Sequence, residues 1–363
     1  MLIALLLALS PSATADNWAT WAAGLPRPEH PEPAYHYAND VWHELAPLVV
    51  AHPDVVQPFV VGHTTTDQPI WGFRVSPPRE GRPDVADRPP RKLLVFANIH
   101  ALEWIPTEVA VGWLKEAVAS PPPGVALTVI PILNPDGRAR VEADLLAGRN
   151  VYRRGNQRQV DLNRDFAVNR TPRAIWASLL PRRYGSSPSP LSQPESRALD
   201  ALAAAERYDV AISLHAFGGF LYYPWSGRWG RPPDYDTYQA LGLRMQQAMG
   251  AHAYKPRQLS RWAFFFRAQG TELDHLYGQY GTLSYLVETT RSGLSPLRPS
   301  EWKNHFRLYN PHDPTPHVTR CVAMLRELTA AMGETDFVGS RGVPALPPQA
   351  ARDGGPARVP PAP

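Results

Sequence analysis

Two histidines and a glutamate stand where a metal could collect them. In Leu93-Leu94-Val95-Phe96-Ala97-Asn98-Ile99-His100-Ala101-Leu102-Glu103-Trp104 an apolar, strand-like run meets a histidine and, three residues on, a glutamate. In a turn from strand to helix, positions i and i+3 can face one point, which offers an imidazole and a carboxylate to a borderline cation. A second run, Val210-Ala211-Ile212-Ser213-Leu214-His215, also ends in histidine and is followed by small residues. Open α/β sheets gather catalytic zinc ligands at the carboxyl ends of strands, where a crevice admits substrate. His100, Glu103 and His215 would form a two-imidazole, one-carboxylate set with a fourth position open to water. Each motif alone is equally met by a histidine packed at a strand end.

Such residues need a scaffold of strands that end together. Short β-branched runs predict strands at Val55–Val61, Ile70–Val75, Leu93–Asn98, Leu127–Leu133, Val210–Leu214 and Thr282–Val287. Helical periodicity predicts helices at Tyr35–Ala51, Thr107–Ala119, Pro194–Glu206, Asp234–Gly250, Thr271–Tyr280 and Thr315–Met332. The alternation predicts one α/β domain over residues 33–335, with a mixed, largely parallel central sheet flanked by helices. A chain of 363 residues, 44% of them hydrophobic, can bury one large core.

The net charge of +4 comes from scattered arginines, the densest group being Arg149, Arg153, Arg154, Arg158 and Arg164. Neither a concentrated basic stripe nor a reading motif is present, which argues against a nucleic-acid partner. Residues 1–15 form an apolar run broken by Pro11 and closed by Ala13-Thr14-Ala15, the pattern of a signal peptide cut after Ala15. The run is shorter than the roughly 20 apolar residues a membrane span needs, so export without stable membrane insertion is expected, to the periplasm or the exterior. The single cysteine, Cys321, falls in a helical pattern and allows no intrachain disulfide. Residues 16–32 read as a Pro-rich arm and 336–363 as a Pro/Ala-rich tail, both poorly ordered.

Taken together, the motifs resemble the zinc carboxypeptidase family that includes carboxypeptidases A and B. The resemblance runs over residues 35–332 and rests on Val60-Val61-Gly62-His63-Thr64-Thr65-Thr66-Asp67-Gln68-Pro69-Ile70, His100-Ala101-Leu102-Glu103-Trp104, Leu133-Asn134-Pro135-Asp136-Gly137, Val160-Asp161-Leu162-Asn163-Arg164-Asp165-Phe166 and the His215 strand. It implies one zinc ion per chain on His100, Glu103 and His215. It also implies that Asn163 and Arg164 clamp the free carboxylate of a peptide or protein C-terminus, a task that suits the planar guanidinium fork. Arg153, in Val151-Tyr152-Arg153, takes the place of the arginine that polarises the scissile carbonyl, with Arg154 its nearest rival. Glu288, closing the apolar run Thr282–Val287, is the implied general base for a water activated at the metal.

Departures bear on specificity. An ungapped register back from Glu288 puts Phe266 where the family carries a lid tyrosine, with Tyr254 or Arg267 as substitutes for the missing hydroxyl. Leu102 stands where A/B-type enzymes have an arginine. The same register sets Leu273 at the floor of the side-chain pocket with Ala268, Thr271 and Leu286 around it, which implies an apolar or aromatic terminal residue. A slip of one position would bring Glu272 there instead and favour a basic one. No inhibitory prodomain is expected before the domain. The alternatives are a peptidase for peptidoglycan stem peptides, a deacylase of N-acyl amino acids, or a catalytically silent binding protein on the same fold.

Overall fold

The computed structural model describes residues 11–27, 29–76, 89–170, 187–263, 266–294 and 297–340. The first ten residues of the expected signal, and the tail from residue 341, lie outside the described residues. Eight strands are formed: β1 Val56–His63, β2 Pro69–Val75, β3 Arg91–Phe96, β4 Val125–Ile130, β5 Val210–His215, β6 Phe220–Tyr223, β7 Lys255–Gln258 and β8 Leu283–Glu288. They join in one mixed sheet ordered β1-β2-β4-β3-β5-β8-β6-β7. The four central strands β4, β3, β5 and β8 run parallel, while β1, β2 and β6 meet their inner neighbours antiparallel.

A parallel centre is covered on both faces and therefore reads as continuous apolar sequence. Every residue of β5 is buried. On β3 the two-residue period sends Leu93 and Val95 to one face and Leu94 and Phe96 to the other. The first face packs against helices α1 Pro11–Ala23, α2 Ala38–Ala51, α3 Ile105–Ala119, α6 Tyr235–Ala248 and α9 Thr315–Gly333. The second is covered by α5 Pro194–Glu206 and by Leu276 of α7 Glu272–Tyr280. Each such Leu or Val contributes about 1.5–3 kcal/mol by leaving water. Cys321 is fully buried in α9, as a core helix residue.

For the site, what matters is where the central strands stop. His100 follows β3 by four residues, His215 ends β5 and Glu288 ends β8, with His215 directly opposite Glu288 in the register. The candidate metal ligands and base thus share the carboxyl edge of one sheet.

Three features differ from the sequence-based expectation. Residues 16–32 are not a disordered arm: α1 runs across the expected cut after Ala15, and Ala15, Trp18, Ala19 and Ala22 are buried. That is a helical i, i+3, i+4, i+7 stripe, and the Trp18 ring meets Phe73 edge-on at 5.2 Å. Farther along, Glu32 forms a buried ion pair with Arg307. Helices α4 Pro135–Leu146 and α8 His305–Tyr309 and the four-residue strands β6 and β7 also went unpredicted. Among the described residues, no helix is long and apolar enough to cross a membrane.

Candidate metal centre and substrate cleft

The turn after β3 is held by asparagines. Asn98 adopts φ +54°, a left-handed conformation that asparagine tolerates. From there its Nδ2 donates to the carbonyls of His100 and Glu103, both at 2.9 Å. Asn310 accepts from the amides of Trp104 and Ile105 at 2.8 and 3.0 Å, satisfying groups that the start of α3 would leave open. Asn134 caps α4 by accepting from Gly137 N at 3.0 Å and donates to Ile99 O at 3.1 Å. The Asn134-Pro135-Asp136-Gly137 motif therefore buttresses the metal loop while starting a helix.

His100, Glu103 and His215 converge, with ligand atoms all within 4.8 Å of one another. His100 Nδ1 lies 2.8 Å from Glu103 Oε1, and His215 Nδ1 lies 3.2 Å from Glu103 Oε2. The other ring nitrogens are occupied: His100 Nε2 meets Asp161 at 3.1 Å, and His215 Nε2 meets Glu272 at 3.0 Å. In the neutral rings, donation of each Nε2–H to a carboxylate leaves both Nδ1 lone pairs aimed at the common point. Two imidazoles and a carboxylate suit zinc, and the surrounding carboxylates Asp161, Glu272 and Glu288 call for a cation, so these residues fit the ion. Electrostatics agree. Burial pushes Glu103 up, but the His100 and His215 imidazoles outweigh it and hold the carboxyl well below its usual range. Burial opposes charge on His215, yet Glu103 and Glu272 raise its pKa to about 10.

The two neighbouring arginines go to different places. Arg153, expected at the scissile carbonyl, turns away to pair with Asp144 on α4, which also holds Arg149 at 2.8 Å. Arg154 faces the candidate triad instead, donating from Nε to Asp161 at 2.8 Å and approaching Glu103 Oε1 at 3.3 Å. Burial opposes its charge, but the Asp161 and Glu103 carboxylates more than compensate and raise its pKa. Asn163 and Arg164 sit on a short 3-10 turn started by Asp161, whose side chain accepts from Asn163 N at 2.9 Å.

All these groups open onto one cleft of about 450 Å³, lined by His100, Glu103, Arg154, Asn163, Arg164, His215 and Glu288. Glu288 is pushed up to about 7, first by burial and then by repulsion from Glu103, the second of which a cation on Glu103 would relieve. Its Oε2 is buried with no hydrogen-bond partner among the described residues. The small residues after His215 make room for it: a Cβ on Gly218 would lie 3.0 Å from Glu288 Cγ.

Residues 43–306 match the zinc carboxypeptidase family model, peptidase M14. The chain belongs to the zinc carboxypeptidase family. Mouse carboxypeptidase A2 is 21% identical over 72% of this chain, a match that spans 63% of the mouse protein. A zinc carboxypeptidase of Simulium vittatum is 25% identical, over 76% of this chain and 89% of its own length. The fold is similar to that of thrombin activatable fibrinolysis inhibitor (TM-score 0.67, 17% identity, 89% of this chain and 80% of that one). It is also similar to carboxypeptidase A of Helicoverpa armigera (TM-score 0.65, 19% identity, 88% of this chain and 80% of that one).

In this family member the far wall of the cleft is aromatic and aliphatic, comprising Phe217, Phe220, Tyr222, Leu259, Trp262, Phe266, Ala268 and Leu286. Phe266 meets Trp262 edge-on at 5.4 Å. The proposed substitutes for a lid hydroxyl are engaged elsewhere: Tyr254 donates to Thr289 O at 2.6 Å, and Arg267 donates to Ser260 O at 2.8 Å. Leu273 is not the pocket floor; fully buried, it packs with Ala268 and Leu286 behind the lining. Glu272 does not replace it, because that carboxylate is committed to His215. Leu102 is buried with Val141 and Phe306, away from this cleft.

Asp161, Tyr222 and Tyr309 have no assigned role in the sequence reading, where Arg154 and Glu272 stand only as rivals to Arg153 and Leu273. Of these, Asp161 carried a signal, since it opens the Asp-Leu-Asn-Arg motif. A second cleft of about 790 Å³ adjoins the first and shares Arg154, Arg164, Phe266 and Tyr309 with it, adding Arg140, Arg153 and His305.

Proposed function

We propose that the protein is a zinc-dependent carboxypeptidase that releases apolar or aromatic residues from peptide C-termini. One observation carries this reading: a single cleft is lined by a candidate metal triad, an acid with a free oxygen, an Asn-Arg pair and an apolar wall. An endopeptidase has no need of the Asn-Arg pair, whereas a free carboxylate is matched by the guanidinium fork of Arg164 with the Asn163 amide beside it. His100, Glu103 and His215 would hold zinc, which when bound polarises the scissile carbonyl and acidifies water.

The chain's own groups account for the proton movements. Glu288 accepts a proton from the attacking water as its oxygen bonds to the carbonyl carbon. As the C–N bond breaks, Glu288 returns that proton to the departing amine. Arg154 supplies fixed positive charge beside the triad, where the carbonyl oxygen gains negative charge. Phe220, Tyr222, Leu259 and Leu286 offer the terminal side chain an apolar surface. Among the described residues the carboxylates lining the cleft are Glu103 and Glu288, already assigned to the metal and the proton, and Arg291 on the same lining disfavours a Lys or Arg head group. The leader-like pattern of residues 1–15 supports an exported enzyme.

The test is paired hydrolysis of a peptide ending in Phe as the free acid and as the amide, with and without chelator. The free acid should be cleaved from its end, chelator should abolish the reaction, and the amide should be inert. His215→Ala should lose both zinc and turnover. Equal cleavage of acid and amide would remove the clamp from the mechanism.

A further inference from the structure

Resting on this reading of the metal centre, we infer that Glu272 is a positioning residue that braces the second metal histidine through its outer nitrogen. The carboxylate is fully buried, and its Oε1 lies 3.0 Å from His215 Nε2. Ser213 Oγ stands 2.9 Å from the same nitrogen, so two oxygens of different elements compete for one N–H. Glu272 occupies the first turn of α7, where Thr271 caps the helix by accepting from Asp274 N at 3.2 Å. An anion is favoured in that first turn by the helix dipole.

Burying a carboxylate is costly unless it finds hydrogen bonds. Glu272 finds one through Oε1, while Oε2 has no partner among the described residues. A side chain kept in that condition is explained by what it does to His215. It holds the ring so that Nδ1 faces Glu103, fixes the proton on Nε2 and makes the imidazole a stronger donor. Asp161 does the same for His100 at 3.1 Å, so each histidine of the site has its own carboxylate.

Glu272 also touches the substrate clamp. Its backbone N–H donates to Asn163 Oδ1 at 3.2 Å, which turns the amide's NH2 group away from α7. The first turn of α7 thus fixes a metal ligand through a side chain and a clamp residue through the main chain.

The experiment measures zinc affinity by competition with a soluble chelator for wild type, Glu272→Gln, Glu272→Ala and His215→Ala, with melting of the metal-free proteins alongside. Loss of an outer carboxylate should weaken zinc binding about 10- to 100-fold, with Glu272→Ala the weaker binder and the isosteric Glu272→Gln near the lower figure. In zinc-saturated Glu272→Gln, the loss should fall on kcat more than on KM for a free-acid peptide, because the N–H to Asn163 is untouched while the brace on His215 is weakened. Affinity of Glu272→Gln within about twofold of wild type overturns the inference. If Glu272→Ala does not fold, Glu272→Gln decides alone. Full zinc retention by His215→Ala would instead overturn the metal centre itself, so the two failures are distinguishable.

Discussion

The two sides of the cleft are built on different principles. On the metal side, His100, Glu103 and His215 are each only 2% exposed, and each is held by hydrogen bonds from other elements. On the opposite side, Phe217 and Trp262 are 36% and 46% exposed and come from loops after β5 and β7. Substitution among buried, bonded groups leaves polar atoms unsatisfied, whereas exchange within an exposed aromatic wall changes contact area alone. The candidate metal site sits where geometry is over-determined, and the exposed Phe217 and Trp262 sit where the surface can be altered at little cost in stability, while Tyr222, Leu259 and Leu286 of the same wall are buried.

That contrast can be broken most decisively at Glu288. Glu288→Gln should keep zinc but lower kcat by roughly 10²- to 10⁴-fold, since an amide cannot accept the water proton. Metal analysis beside steady-state kinetics checks this, and near-normal turnover would place the base elsewhere. Next comes the arginine pair. Arg154→Ala should cost on the order of 10²- to 10³-fold in kcat, whereas Arg153→Ala, which removes a partner of Asp144 and a charge of the outer cleft, should leave kcat within about threefold of wild type. The reverse order would restore Arg153 to the scissile carbonyl.

Smaller effects belong to the wall. Matched peptides ending in Phe and Arg should differ by more than about tenfold in kcat/KM in favour of Phe, because the guanidinium would be desolvated without a partner. Faster release of Arg would point to an acid reaching this pocket. The least effect is expected at Phe266→Tyr, where one added neutral hydrogen bond is worth about 0.5–1.5 kcal/mol. KM for a free-acid peptide should fall by no more than about tenfold, with zinc affinity unchanged.

The legibility of the sequence follows the same division. Mostly apolar runs marked β3, β5 and β8, and these runs lead into His100 with Glu103, into His215 and into Glu288. Which of two adjacent arginines faces the metal depends on Asp144, which takes Arg153. Asp144 lies on α4, whose charged sequence PDGRARVEADLL hid its helical period. Strands β6 and β7, four residues each, are too short to display alternation, and β7 contains Pro256 at the sheet edge. The Ala15-Trp18-Ala19-Ala22 stripe is three-quarters alanine and is followed closely by prolines, so its apolar period is weak in the sequence.

The second cleft bears on how substrate arrives. Arg140, Arg153, Arg154 and Arg164, with Asp161 among them, line a concave approach that adjoins the cleft holding the candidate metal triad. Low-dielectric walls focus the field of such charges, so on the proposed reading the terminal carboxylate of a diffusing peptide would be attracted before any contact forms. That attraction is screened over about 8 Å at physiological ionic strength. Added salt should therefore slow capture, visible in kcat/KM at low substrate, while the turnover of peptide already bound stays constant.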